Sequence, residues 1–271
     1  MKAEQFFYEH PVFNYREFVE WKAKQGTTNN NSIRIALQYY VKTGKLLHLR
    51  RGLYAIVPPN ASVKNHKVDS YLIAGKVVND SILAYHTALE LHGLAYSSFE
   101  QLTFFTKHQV KTFEIGPQRY QPIILPKTLT KGKGSLFGVE IINRQGVELK
   151  ITNISRTFVD VIDRIDLSGG IEEVYRSVEN IASLDVDAAI KYCLMFNNAR
   201  LAAKVGYFLE QRKGAFAITD KQLRLLLTNR PRVPQYLSKK LQKNCCLVRK
   251  WNLMMPQYLL NKAWEELDAK I

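Results

Sequence analysis

The sequence has no run of about 18 apolar residues of the kind that crosses a bilayer, and it does not open with a charged segment leading into an apolar one. Neither a membrane span nor a secretory leader is therefore expected, and the cytoplasm is the expected location. Cysteine is scarce. Cys193, Cys245 and Cys246 are odd in number and show neither CxxC nor Cys/His spacing, which argues against a disulfide framework and a zinc site. Acidic residues are also few: Asp and Glu number 24 against 39 Lys and Arg, which leaves a formal net charge of +15 over 271 residues. An excess of that sign favours a polyanionic partner, nucleic acid before membrane.

What is present is the composition of a folded protein, 46% hydrophobic and 11% aromatic, in a chain long enough for a small module and a larger body. The charge is uneven along it. Residues 1–60 hold 9 basic and 4 acidic side chains, residues 61–189 hold 14 and 15, residues 190–255 hold 14 and 2, and residues 256–271 hold 2 and 3. The cationic excess thus gathers in the first sixty residues and in 190–255.

In VFNYREFVEWKAKQG, Asn14 can cap a helix, with Glu17 reaching back as in a capping box and Phe13 stapling the entry. Turn-forming residues follow at 25–29. A second helix is expected from Asn31 or Ser32, with Ile33, Ala36, Leu37, Tyr40 and Val41 as its apolar stripe and Arg34, Gln38 and Lys42 recurring on another face. Gly44 can end it in the left-handed conformation. KLLHL, Arg50-Arg51-Gly52 and LYAIV then read as a hairpin closed by Pro58-Pro59.

Helix, short polar turn, helix and hairpin is the order of a winged helix-turn-helix, which lays its second helix in the DNA major groove and its wing along the backbone. The expected reading residues are Asn31, Ser32, Arg34, Gln38, Tyr39 and Lys42. The expected wing contacts are Lys45, His48, Arg50 and Arg51. The fold class expected is α+β, with this module over residues 1–60 and a mixed helix and sheet domain over 61–271.

Further along, Asp69 can cap SYLIAGKVV, and SILAYHTALELHGLA reads as a helix ending at Gly93. LTFFT, QPIILP and GVEIINR read as strands. GVELKITNISRTFVDVIDR reads as strand, turn and helix, and LSGGIEEVYRSVENI opens another helix. The order of LRRGLYA, DSYLIAG, YHTALELHGL, ISRTFVDVIDR with SGG, and KVGYFLEQ resembles the AbiEi antitoxins of bacterial abortive-infection systems, classed as type IV toxin–antitoxin modules. The resemblance covers about residues 10 to 215.

That resemblance implies a winged helix that represses its own operon at inverted repeats in the promoter. It also implies a C-terminal antitoxin-like domain, here 61–271, that counters a nucleotidyltransferase-like toxin and assists DNA binding. The basic 190–255 segment suits such assistance. Its candidate contacts to DNA backbone or to an acidic partner are Arg224, Arg230, Arg232, Lys239, Lys240, Lys243, Arg249 and Lys250, with SKKLQKN read as helix-like.

No catalytic set is expected. His86 and His92 lie about 240° apart on a helix and share no face. Asp160 and Asp163 lack a histidine or nucleophile beside them and read as a solvated helix end, with Arg156 paired to Asp160. No cofactor or metal is expected. Two rivals stay open: a solitary winged-helix regulator without a toxin, and a nuclease or transferase targeted by the winged helix.

Overall fold

The computed structural model describes residues 3–130, 134–238, 240 and 242–261. The fold is α+β, with three sheets among the described residues. The chain divides into two compact units, each assembled from separate stretches. The first takes in the chain to residue 87 with 99–124 and 139–152, and the second takes in 88–98, 125–138 and 153 onward. A cut at residue 60 falls inside the first unit.

The first unit begins with α1 (Ala3–Glu9), β1 (Val12–Asn14), α2 (Tyr15–Lys24), α3 (Asn30–Lys42), β2 (Leu46–Arg50) and β3 (Leu53–Ile56). Asn14 and Glu17 form the expected capping box at the start of α2. Asn29 caps α3 through the amides of Asn31 and Ser32, so the helix starts slightly earlier than its apolar stripe suggests. At its end Gly44, with φ +72°, lets the amide of Lys45 reach the Tyr40 carbonyl at 2.9 Å and its own amide reach Val41 at 3.1 Å.

Phe6, Phe7, Phe13, Phe18, Ile33, Leu37 and Leu46 close the core under these elements. Phe13 is thus more than a staple. It sits in β1, which pairs antiparallel with β3 from Val12 opposite Ala55 to Asn14 opposite Leu53. The resulting sheet order is β1-β3-β2.

α4 (Ser70–Lys76) is capped by Asp69 as expected and packs on a six-stranded mixed sheet in the order β6-β7-β5-β4-β9-β8. Its strands are β4 (Ile82–Leu83), β5 (Gln101–Thr106), β6 (Phe113–Ile115), β7 (Gln118–Ile124), β8 (Val139–Arg144) and β9 (Val147–Thr152). Gly75 permits the close packing, because a Cβ there would stand 2.4 Å from a methyl of Leu149. The helix expected across SILAYHTALELHGLA is only half present. Ile82 and Leu83 are buried between β5 and β9, where the ladder takes their backbone groups, and Tyr85 at φ +56° separates them from α5 (His86–Leu91).

The second unit holds α6 (Lys127–Thr130), α7 (Ile154–Asp163), α8 (Ile171–Glu179), α9 (Val186–Met195), α10 (Ala199–Gln211) and α11 (Asp220–Thr228). A small sheet in the order β10-β12-β11 follows, from β10 (Gln235–Tyr236), β11 (Cys245–Val248) and β12 (Leu253–Pro256), and then α12 (Gln257–Leu260). Gly206 of α10 makes room for Trp251, whose ring would meet a Cβ at 2.2 Å.

Two expectations fail in this unit. The Arg156–Asp160 pair is buried rather than solvated, with both residues at most 1% exposed. Arg156 donates to the carbonyls of Ser135 and Phe137 at 3.1 and 2.8 Å and stands 3.5 Å from Asp160, which also accepts from the Tyr192 hydroxyl at 2.8 Å. Burial pushes the Asp160 carboxyl upward, while Arg156 and Tyr192 pull it back. The described part of SKKLQKN is not helical either: it is turn and bend leading into β11, whose pairing with β12 holds the backbone extended.

Candidate nucleic-acid interface

The amphipathic pattern of α3 separates its two faces cleanly. Ile33 and Leu37 are at most 1% exposed, whereas Asn31, Ser32, Arg34, Ile35, Gln38, Tyr39 and Lys42 are all exposed. From Arg34 to Tyr39 the outward residues other than Ser32 cover about 140° of the circumference, with Asn31, Lys42, Gln38 and Ile35 between. The helix carries no acidic residue. The six expected recognition residues therefore lie on one exposed surface, and Ile35, which flanks the polar row in the sequence, lies among them.

The hairpin after α3 is assembled differently from expectation. β2 includes Arg50, so the turn proper is Arg51-Gly52, and a bulge falls between His48 and Arg50. Gly52 has φ +76°, which suits a turn that a side chain would strain. Tyr15 ties this turn to α3: its amide donates to the Gly52 carbonyl at 2.8 Å and its hydroxyl reaches the Asn30 side chain at 3.4 Å. Arg34 is near enough to the Tyr54 hydroxyl of β3 to act on it electrostatically, against the stronger effect of burial.

Of the four wing candidates, Arg51 is exposed at the turn and His48 is exposed on β2, its ring 5.2 Å from Tyr54. Arg50 is turned onto β6, its guanidinium 3.9 Å above the Phe113 ring, with Nη1 buried and burial lowering its pKa. Phe113 lies too far along the chain for any local pattern to show this. Lys45 sits at the opposite end of β2 from the turn, about 17 Å of strand away, and faces Glu4 at 3.7 Å. It stands away from the hairpin turn.

In the second unit, Arg224, Arg230 and Arg232 line an open groove of about 490 Å³ with Leu227, Thr228, Pro231 and Asn252. Asn252 donates to the Pro231 carbonyl at 2.9 Å, and Arg230 donates to the Lys250 carbonyl at 2.7 Å, which ties the groove to the turn before β12. Both acidic residues of 190–255 are engaged. Glu210 accepts from Trp251 at 2.7 Å and pairs with Lys250, and Asp220 pairs with Lys213 at 2.6 Å. Lys250 is therefore partly neutralised. Lys240, Lys243 and Arg249 are exposed but do not line the groove, and Lys239 lies outside the described residues.

Among the described residues no group of three or more His, Cys, Asp or Glu is placed to hold a metal, and no helix is long and apolar enough to cross a membrane. No family model matches the chain and no curated protein matches it. Among solved structures, the chain is similar to the crystal structure of the RV2827C protein from Mycobacterium tuberculosis. The match has a TM-score of 0.57 and 13% identity and covers 93% of this chain and 89% of that one, a likeness of fold alone.

Proposed function

We propose that this chain is a sequence-specific DNA-binding protein in which α1–α3 and β1–β3 act as a winged helix-turn-helix. The observation that carries the reading is the exposed, acid-free face of α3, tied through Tyr15 to a hairpin turn that presents Arg51. The order helix, strand, helix, helix, strand, strand, with β1 paired to β3, supports it. Arg34 suits the O6 and N7 atoms of guanine and Gln38 the N6 and N7 atoms of adenine, pairings worth about 1–3 kcal/mol each in discrimination. Arg51 and the groove of Arg224, Arg230 and Arg232 suit phosphate, which raises affinity for every sequence alike.

The resemblance to AbiEi antitoxins extends the proposal: the DNA is the chain's own promoter, read at inverted repeats, and the rest of the chain counters a nucleotidyltransferase-like toxin. The test is binding of the full chain to its own upstream DNA and to a scrambled duplex at about 50 and about 200 mM salt. A preference for the upstream duplex that survives at the higher salt is expected. Equal, salt-sensitive binding to both duplexes would overturn specific reading. Co-expression with the adjacent gene tests the antitoxin role: growth arrest by the neighbour, relieved by this chain, is expected, and no relief would leave a plain regulator.

A further inference from the structure

We infer that α3 reads thymine, through methyl groups that Ile35 and Tyr39 meet in the major groove. The inference rests on the DNA-binding reading above and deepens it. Ile35 is 65% exposed and Tyr39 61% exposed, side by side at i and i+4 on a helix that already buries an apolar face elsewhere. A surface helix ordinarily keeps its outer face polar. Here two large apolar groups interrupt the polar row.

Both have restricted side-chain freedom. Ile35 is β-branched and has one dominant χ1 rotamer in a helix. The Tyr39 ring meets Tyr40 edge-on at 5.6 Å, and Tyr40 packs edge-on against Phe7 of the core at 4.9 Å. Rigid apolar groups lose little entropy on contact, which suits recognition of a small fixed target.

The flanking charge chooses the partner. Arg34 and Lys42 share this face and α3 has no Asp or Glu, so the surface that meets Ile35 and Tyr39 must be strongly anionic and still offer apolar contact. The major groove does so through the C5 methyl of thymine, which cytosine, adenine and guanine lack. Four residues advance about 6 Å along a helix, and base pairs repeat every ~3.4 Å, so the two side chains span about two base-pair steps. The site therefore favours thymines in neighbouring steps beside the bases that Arg34 and Gln38 contact.

The experiment replaces thymine by deoxyuridine throughout the upstream duplex and the scrambled duplex, which keeps the pairing edge and removes the methyl. Loss of a methyl contact is about fourfold in affinity, so the full chain should bind the deoxyuridine upstream duplex about 15-fold more weakly, with no such change on scrambled DNA. Ile35→Ala should bind the thymine duplex more weakly and narrow the difference to about fourfold, while Tyr39→Phe should keep it. If the chain prefers upstream over scrambled DNA yet binds thymine and deoxyuridine duplexes equally, the inference is overturned and the DNA-binding reading stands. If it makes no distinction between upstream and scrambled DNA, both fall.

Discussion

The two cationic surfaces of this chain are built on opposite plans. On α3, Arg34 and Lys42 alternate with amides and with exposed Ile35 and Tyr39 on one rigid helix, so hydrogen-bond donors, acceptors and apolar groups stand in a fixed order. In the second unit, Arg224, Arg230 and Arg232 converge on a groove at the join of a helix and an irregular segment, and the nearby carboxylates are already engaged. A mixed array of donors, acceptors and apolar groups on a helix is fitted to distinguish base edges, whereas a cluster of like charges is fitted to phosphate, which carries no sequence. Net charge, +5 in the first sixty residues and +12 in 190–255, is thus larger where the exposed groups are less varied.

The largest way to break the comparison is to remove the support of the groove. Trp251 is fully buried against Gly206 and hydrogen-bonded to Glu210, so Trp251→Ala should cost about 3–5 kcal/mol in urea unfolding of the second unit. Affinity should then fall for all sequences while the preference among them persists. A lost preference would show that the two surfaces are not independent.

Arg34→Ala comes next. It should relax discrimination at one base position by about 1–3 kcal/mol, measured by competition between single-substituted duplexes. A uniform loss across sequences would move Arg34 into the same class as the groove arginines.

A pH effect of intermediate size belongs to the second unit. Lys204 is buried and donates to the carbonyls of Ile162 and Asp163 at 3.1 Å each, which caps α7, and burial pulls its pKa down to about 8 against the pull of Asp163. Because the unfolded chain binds this proton more tightly, the charged lysine weakens the fold below pH 8, and stability should rise as pH climbs from about 8 toward 10.5. Between pH 7.5 and 9.5 the gain is on the order of 1–2 kcal/mol, and Lys204→Met should flatten it in melts of the two proteins.

The smallest effect is expected from Arg232→Ala. It should lower the slope of log affinity against log salt by about 1 and weaken every duplex alike. Selective loss on the upstream duplex would mean that the groove reads sequence.

Much of the first unit was legible because its signals are local. Asn14 with Glu17, Asp69 before α4 and Gly44 after α3 each act within a few residues of themselves, so spacing was enough to place those helix ends. The exposed face of α3 was legible for the same reason, from periodicity alone. β4 was not. Its apolar residues fit a helix as well as a strand, and the neighbours that decided for a strand are β5 and β9, far away in sequence.

By itself, then, the sequence determined the helix caps, the exposed polar face of α3, the hairpin after it and the two concentrations of positive charge. These depend on neighbours within one or two turns of chain. The tertiary structure alone decided that β1 completes the sheet with β3, that the Arg50 side chain lies on Phe113, that Arg156 and Asp160 are buried, and that three arginines share a groove with Asn252. Each of those outcomes requires segments distant in the chain to be brought together, and the gain comes from burial and pairing that no local pattern contains.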